Sequence, residues 1–175
     1  QAGLLTQDVH VSAVTGSTGA GQSLSQTSHF SWRNNNISIY KAFTHQHLTE
    51  IGMVLSKNNH KPKVHFIPYR GNFSRGIMAN VYTAYQGNLQ DAMALYKDFY
   101  KDSPFVFVSD SSIDLKQVVN TNKCFLHLMV HEGQLLVTSI IDNLIKGASG
   151  QAVQNLNLMI GWPETSGLQL KAIGF

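Results

Sequence analysis

A single cysteine, Cys124, stands in 175 residues. No disulfide can form within the chain, and the expectation is a reducing compartment, the cytoplasm. Charge is scarce too: 13% of the residues are Asp, Glu, Lys or Arg, about half of the ordinary share. Such a surface suits a piece that sits against other protein; the alternative is that loops rich in Asn, Ser and Gln supply the polarity instead. Arginine occurs only as Arg33, Arg70 and Arg75, and Lys and Arg form no run, so the net charge of +3 is scattered. Nucleic-acid binding needs clustered cations to release counterions, which argues against that class and for a weakly basic groove that takes an anionic metabolite. No stretch reaches the ~18 consecutive apolar residues of a membrane-spanning helix. Residues 1–5 (QAGLL) offer neither a charged start nor a cleavage site. They read as the end of a helix entered from earlier chain, so a fragment is expected.

The apolar content of 43% and the length of 175 residues suit one well-cored domain, residues 1–175. Residues 8–14 (DVHVSAV) alternate with the period of a half-buried strand. A glycine-containing loop follows at residues 15–21, then a polar stretch to Asn36 that reads as irregular and exposed. Residues 44–55 read as a short helix entered from a loop, and residues 63–69 and 76–85 as strands. Asn88 is a plausible N-cap for a helix running to about Tyr100, whose apolar residues fall at helical spacing before Pro104 stops it. Residues 105–108 form a strand, and residues 123–131 and 134–142 form two more, joined by Glu132-Gly133 with a hairpin signature. Residues 150–160 form a closing amphipathic helix. Neighbouring strands without crossover helices predict an α+β domain with a mainly antiparallel sheet and helices on one face.

Few residues offer chemistry. His45 and His47 lie where a loop enters a helix, and the dipole there disfavours a protonated imidazole, leaving it able to accept a proton as a general base does. The plain alternative is a pair of exposed loop histidines, and two histidines without a third ligand make a poor zinc site, so no metal is expected. His127 and His131 share one strand face and read as structural or surface residues. The loop holding Ser17, Gly19 and Gly21 could bring backbone N–H groups close to an anion or be a simple turn. It departs from G-x-G-x-x-G and no apolar helix follows, which rejects a nucleotide fingerprint. Cys124, inside an alternating apolar strand, reads as a buried, inert thiol. Arg70 and Arg75 are the best anion partners because guanidinium grips carboxylate or phosphate in two-pronged fashion, although for Arg75 a surface salt bridge is equally open. On residues alone the reading ends at a domain that handles a small anion.

Residues 141–159 (IDNLIKGASGQAVQNLNLM) resemble the closing signature of the N-acetyl-γ-glutamyl-phosphate reductases, which runs close to DNL-x-KGA-[AS]-GQAVQ. Residues 14–21 resemble that family's SGxSGAG loop, and residues 40–51 its Y…HRHTPEI stretch. His65-Phe66-Ile67-Pro68 with Arg75-Gly76-Ile77 resembles its F-x-PH-x-x-P…RGI stretch. The resemblance implies the C-terminal domain of a glyceraldehyde-3-phosphate or semialdehyde dehydrogenase type of enzyme in arginine biosynthesis, with a separate Rossmann domain for NADPH. It implies reduction of an N-acyl-γ-glutamyl phosphate to the semialdehyde: a cysteine thiolate displaces phosphate, and hydride from NADPH reduces the resulting thioester.

Carried over, the catalytic histidine falls on the pair, with His47 preferred to His45. Ser17, Gly19, Gly21 and Arg75 would approach the substrate, and Gly147, Gly150 and Gln154 would face the cofactor domain. Partners would be the Rossmann domain and further copies of the chain, as a homodimer or homotetramer. The chain departs from the family at Gln46, where the family has Arg, and at Leu48-Thr49, where it has Thr-Pro, which leaves an N-succinyl or other acyl group open. The family's G-C-Y-x-T nucleophile is expected upstream of Gln1, and the chain alone is therefore expected to be inactive. The competing readings are a non-catalytic small-anion binding or assembly module, and a reductase of an aspartyl or aminoadipyl phosphate.

Overall fold

The computed structural model describes residue 5, residues 7–55 and residues 62–172. Its backbone is a seven-stranded sheet formed by β1 (Val9–Thr15), β2 (Ser38–Ile39), β3 (Val64–Arg70), β4 (Ile77–Ala84), β5 (Val106–Ser109), β6 (Cys124–His131) and β7 (Gln134–Ile141). The four α-helical segments are α1 (Phe30–Arg33, a single turn), α2 (His47–Leu55), α3 (Leu89–Tyr100) and α4 (Gly150–Met159).

The strand order is β2-β3-β1-β4-β7-β6-β5. This corrects the expectation of a mainly antiparallel sheet. β1 pairs parallel with β3, and β5 parallel with β6, while the remaining neighbours are antiparallel, so the sheet is mixed. The reason is topological. The connection from β1 to β3 is long enough to carry α2 and return the chain in the same direction, and β1 then sits between β3 and β4, which are consecutive in sequence. Two elements fall inside the stretch read as irregular or just beyond it: α1 and the two-residue β2, both too short for a periodic signal.

Cross-strand partners fix the two faces. Phe66, Val11, Val81, Val137 and Leu128 form one row across the sheet. α3 packs on this face, where Ala92 is 2% exposed and meets Leu126, Leu128 and Val137. An alanine at the contact lets the helix axis approach the sheet, and burying a side chain such as Leu128 contributes about 1.5–3 kcal/mol. α2 lies on the same side, reached from Phe66 of β3 through His45. The Asn88 cap forms as expected, its side chain accepting from the Asp91 N–H at 2.9 Å.

The opposite row is His65, His10, Tyr82, Leu136 and Met129. Here His10 stacks on His65 with centroids 4.7 Å apart and on Tyr82 at 4.9 Å. Tyr82 and Met129 stay exposed, as does Phe107 of β5. The β6–β7 hairpin turns on Glu132 (φ 44°) and Gly133 (φ 75°), the paired left-handed geometry that a two-residue hairpin requires.

Candidate functional site

The site residues fall into separate groups. The first surrounds the histidines. His47 opens α2, and its N–H donates to His45 Nδ1 at 3.3 Å. The His45 ring is half-buried and makes edge contacts with Tyr40 (5.7 Å between centroids), Phe66 (5.2 Å) and His47 (4.8 Å). Burial lowers the His45 pKa below the usual imidazole value, and the charges of His47 and Lys41 push the same way. His45 is therefore neutral at pH 7. Because Nδ1 accepts the His47 amide, neutral His45 carries its proton on Nε2 and presents a donor there rather than a base. His47 is exposed, with its ring on the solvent side of this stack.

The second group is the corner where β1 ends, β4 begins and β7 ends. Thr18 Oγ1 donates to the Ser74 carbonyl at 2.5 Å, and the Ser17 amide donates to the Phe73 carbonyl at 2.8 Å. A Cβ on Gly16 would lie 2.5 Å from the Ser74 carbonyl oxygen, so the glycine there permits a close backbone approach. Gly19 faces Thr15 and the Asn143 side chain, and Gly21 turns the chain at φ 76°. Asn143 ties the corner together: Oδ1 accepts the Gly76 amide at 2.7 Å, and Nδ2 donates to Thr18 Oγ1 at 3.1 Å. Asn143 and its neighbour Asp142 were not singled out from the sequence, although both sit in the DNL triplet of the closing segment.

Arg75 is occupied by Asp142. Its Nη2 donates to Oδ1 at 3.3 Å, and Nε lies 3.2 Å from Oδ2. The Asp142 side chain is fully buried. It also accepts the amides of Asn120 (2.7 Å), Leu144 (2.8 Å) and Ile145 (2.9 Å). The ion pair is thus a buried brace of the corner, not the surface salt bridge that sequence left open.

Gly147 lies in an exposed π-helical turn, Ile145–Ser149, that leads into α4. The amides of Leu144 and Ile145 go to Asp142 Oδ1, those of Gly147 and Ser149 to the carbonyls of Asp142 and Leu144, and that of Gly150 to Ile145. Gly150 is buried; a Cβ there would overlap Asn122 Oδ1 and come 2.5 Å from Ile145 Cγ2. Gln154 is also buried, and its amide is fully engaged. Oε1 accepts from Asn122 Nδ2 at 2.9 Å and Lys146 Nζ at 2.7 Å, while Nε2 donates to Glu164 Oε1 at 2.5 Å.

Cys124 is half-buried, and its thiol is pushed up by burial, with a lowering contribution from the Ser139 hydroxyl at 3.5 Å. His127 Nδ1 pairs with the Ser109 carbonyl at 3.1 Å, a structural role, while His131 is exposed at the hairpin end.

Residues 1–143 match the family described as "Semialdehyde dehydrogenase, dimerisation domain". Among curated proteins, the chain is 60% identical over 172 residues to an N-acetyl-gamma-glutamyl-phosphate reductase of Christiangramia forsetii, with 97% of the chain and 54% of the relative covered. It is 58% identical over 174 residues to a protein of that name from Flavobacterium johnsoniae, covering 98% and 54%. The chain therefore spans about half the length of the curated relatives it matches. Among solved structures, aspartate semialdehyde dehydrogenase II from Vibrio cholerae aligns with a TM-score of 0.64 at 13% identity, over 90% of this chain and 55% of that one. A probable aspartate-semialdehyde dehydrogenase from Pseudomonas aeruginosa aligns with 0.68 at 11%, over 91% and 56%. At these identities the likeness is one of fold. The chain belongs to the semialdehyde dehydrogenase dimerisation-domain family.

Proposed function

We propose that this chain is the substrate-binding and dimerisation half of an NADPH-dependent N-acyl-γ-glutamyl-phosphate reductase of arginine biosynthesis, working in the cytoplasm. The observation that carries the reading is the His45–His47 pair at the start of α2, in a chain that is 60% identical to a protein of that name. His47 is the acid and base: it takes the proton of a cysteine thiol contributed by the rest of the enzyme, gives it to the carbonyl oxygen as the thioester carbon is reduced to a thiohemiacetal, and takes it back as the carbon–sulfur bond breaks to leave aldehyde and thiolate. His45 positions it. The His45 ring is wedged between Tyr40 and Phe66, and its Nδ1 anchors the His47 amide.

Ser17, Gly19 and Gly21 line the approach of the acyl phosphate, with Arg75 acting through the corner it braces. NADPH supplies hydride when bound. The residues that would meet it fit a flat ring better than a phosphate. Gly147, Ala148 and Ser149 are exposed and small, whereas most amides of that turn already have acceptors. Gly150 and Gln154 serve this surface from beneath, fixing the start of α4 against Asn122 and Lys146.

The cofactor-binding domain would cover the exposed apolar residues of α4 and its exit, among them Leu156, Met159 and Trp162. A second copy would cover the open sheet row of His10, Tyr82 and Met129, giving a homodimer. Substrate-dependent NADPH oxidation by the full-length protein, absent with this chain alone, is the result expected. Turnover by the isolated chain would contradict the division of labour.

A further inference from the structure

Arg33 and Arg70 form a cationic centre with no carboxylate partner among the described residues. Arg33 is 6% exposed, yet every hydrogen bond from its guanidinium ends on a neutral oxygen. Nη1 donates to the Arg70 carbonyl at 2.7 Å, and Nη2 donates to the Thr27 carbonyl and Ser38 Oγ, each at 3.1 Å. Its Nε is buried and unpaired, and so is Nε of Arg70. The Arg70 guanidinium lies 4.7 Å from the centroid of the Tyr40 ring, which it covers, and Tyr40 in turn contacts His45. Arg75, by contrast, is matched by Asp142, and the other described carboxylates in ion pairs, Asp8, Asp98, Asp110 and Glu132, lie with other partners. A buried cation without a counter-charge is costly to desolvate, and an anion that arrives there offsets that cost.

We propose that Arg70, resting on Tyr40 and held at its backbone by Arg33, receives a carboxylate of the substrate and so sets substrate choice. This rests on the reductase reading, and it adds a residue to it. The arrangement suits the task. Stacking on Tyr40 holds the planar guanidinium in one orientation. Arg33, bonded to the Arg70 carbonyl, fixes the end of β3 and adds its own charge to the field. Tyr40 connects the anion site to His45, so a bound carboxylate registers the rest of the substrate against the histidine pair. Two carboxylates could be the one received: the α-carboxylate of the glutamyl unit, or one at the end of a dicarboxylic acyl group such as N-succinyl. Gln46, exposed beside His45 and bonded to Lys41 Nζ at 2.8 Å, brings no competing charge of its own.

The test uses the full-length enzyme as wild type, Arg70→Met and Arg70→Lys. Steady-state kinetics with N-acetyl- and N-succinyl-glutamyl phosphate are paired with calorimetric binding of N-acetylglutamate and N-succinylglutamate. Loss of a charged hydrogen bond predicts a rise in KM of about 30-fold for Arg70→Met with kcat little changed, and Arg70→Lys recovers part of it. A rise confined to the N-succinyl substrate assigns the acyl-chain carboxylate; a rise with both assigns the α-carboxylate. Wild-type KM for both substrates in an active Arg70→Met enzyme overturns the proposal. If the protein binds either glutamate derivative through Arg70 but reduces neither acyl phosphate, the carboxylate site stands and the reductase reading falls.

Discussion

Asp142 and Arg75 meet in a buried corner, Asp142 Oδ2 lying 3.2 Å from Arg75 Nε, and the same carboxylate accepts three backbone amides. One fully buried side chain therefore holds the end of β7, the start of the π-helical turn, Arg75 ahead of β4 and the Asn120 loop in a single arrangement. With Asp142 on its guanidinium, Arg75 shapes the corner without being free to grip a ligand in two-pronged fashion.

Removing one partner of such a pair leaves the other desolvated. Asp142→Ala is expected to destabilise the domain by about 3–5 kcal/mol. Arg75→Met should cost less, because Asp142 keeps its three amide donors. Urea unfolding of both single variants and the double variant measures the coupling. A double variant that loses the full sum of the two would show that the residues do not interact.

Gly150→Ala is expected to destabilise by about 1–3 kcal/mol, the usual cost of overpacking, since the new methyl group would run into Asn122 and Ile145. Gly147→Ala meets nothing closer than 3.5 Å and should leave stability nearly unchanged while lowering cofactor affinity. Melting temperatures together with NADPH titration of the full-length enzyme separate the two positions.

Cys124 should react slowly with thiol reagents at neutral pH. Burial raises its pKa above the usual thiol value of 9.0, so the unfolded thiol ionises before the folded one. Stability is then unaffected below pH 9 and falls as pH rises beyond it. Labelling by iodoacetamide that is as fast in the folded protein as in urea would contradict the assigned burial.

For His45 the sign runs the other way. Its folded pKa lies below the usual imidazole value of 6.5, so the unfolded state takes up the proton first. The stability linked to this group is fully present above pH 6.5 and is lost as pH falls below it, through the folded pKa. NMR titration should place the His45 midpoint below that of a free imidazole.

Much of this was legible in the sequence because the signals were local. The Glu132-Gly133 turn, the Asn88 cap and the alternation of residues 77–84 each need only neighbouring residues. The parallel pairing of β1 with β3 was not legible, because strands adjacent in the chain (β3 and β4) are separated in the sheet by β1. The histidine pair and the glycine loop could be named in advance. The roles of Asn143, Tyr40 and Arg33 could not, since each depends on partners far away in sequence. Arg33 illustrates this: in a polar stretch without period it looks like a stray surface cation, yet it is buried against the end of β3.

The most direct measurement is NADPH oxidation by the full-length enzyme with an N-acyl-γ-glutamyl phosphate, comparing wild type with His47→Ala and His45→Ala. If His47 moves the proton and His45 positions it, His47→Ala lowers kcat by about 10²–10⁴-fold and flattens the pH profile, while His45→Ala lowers kcat less and keeps a pH dependence. Wild-type kcat and an unchanged pH profile in His47→Ala would contradict the account.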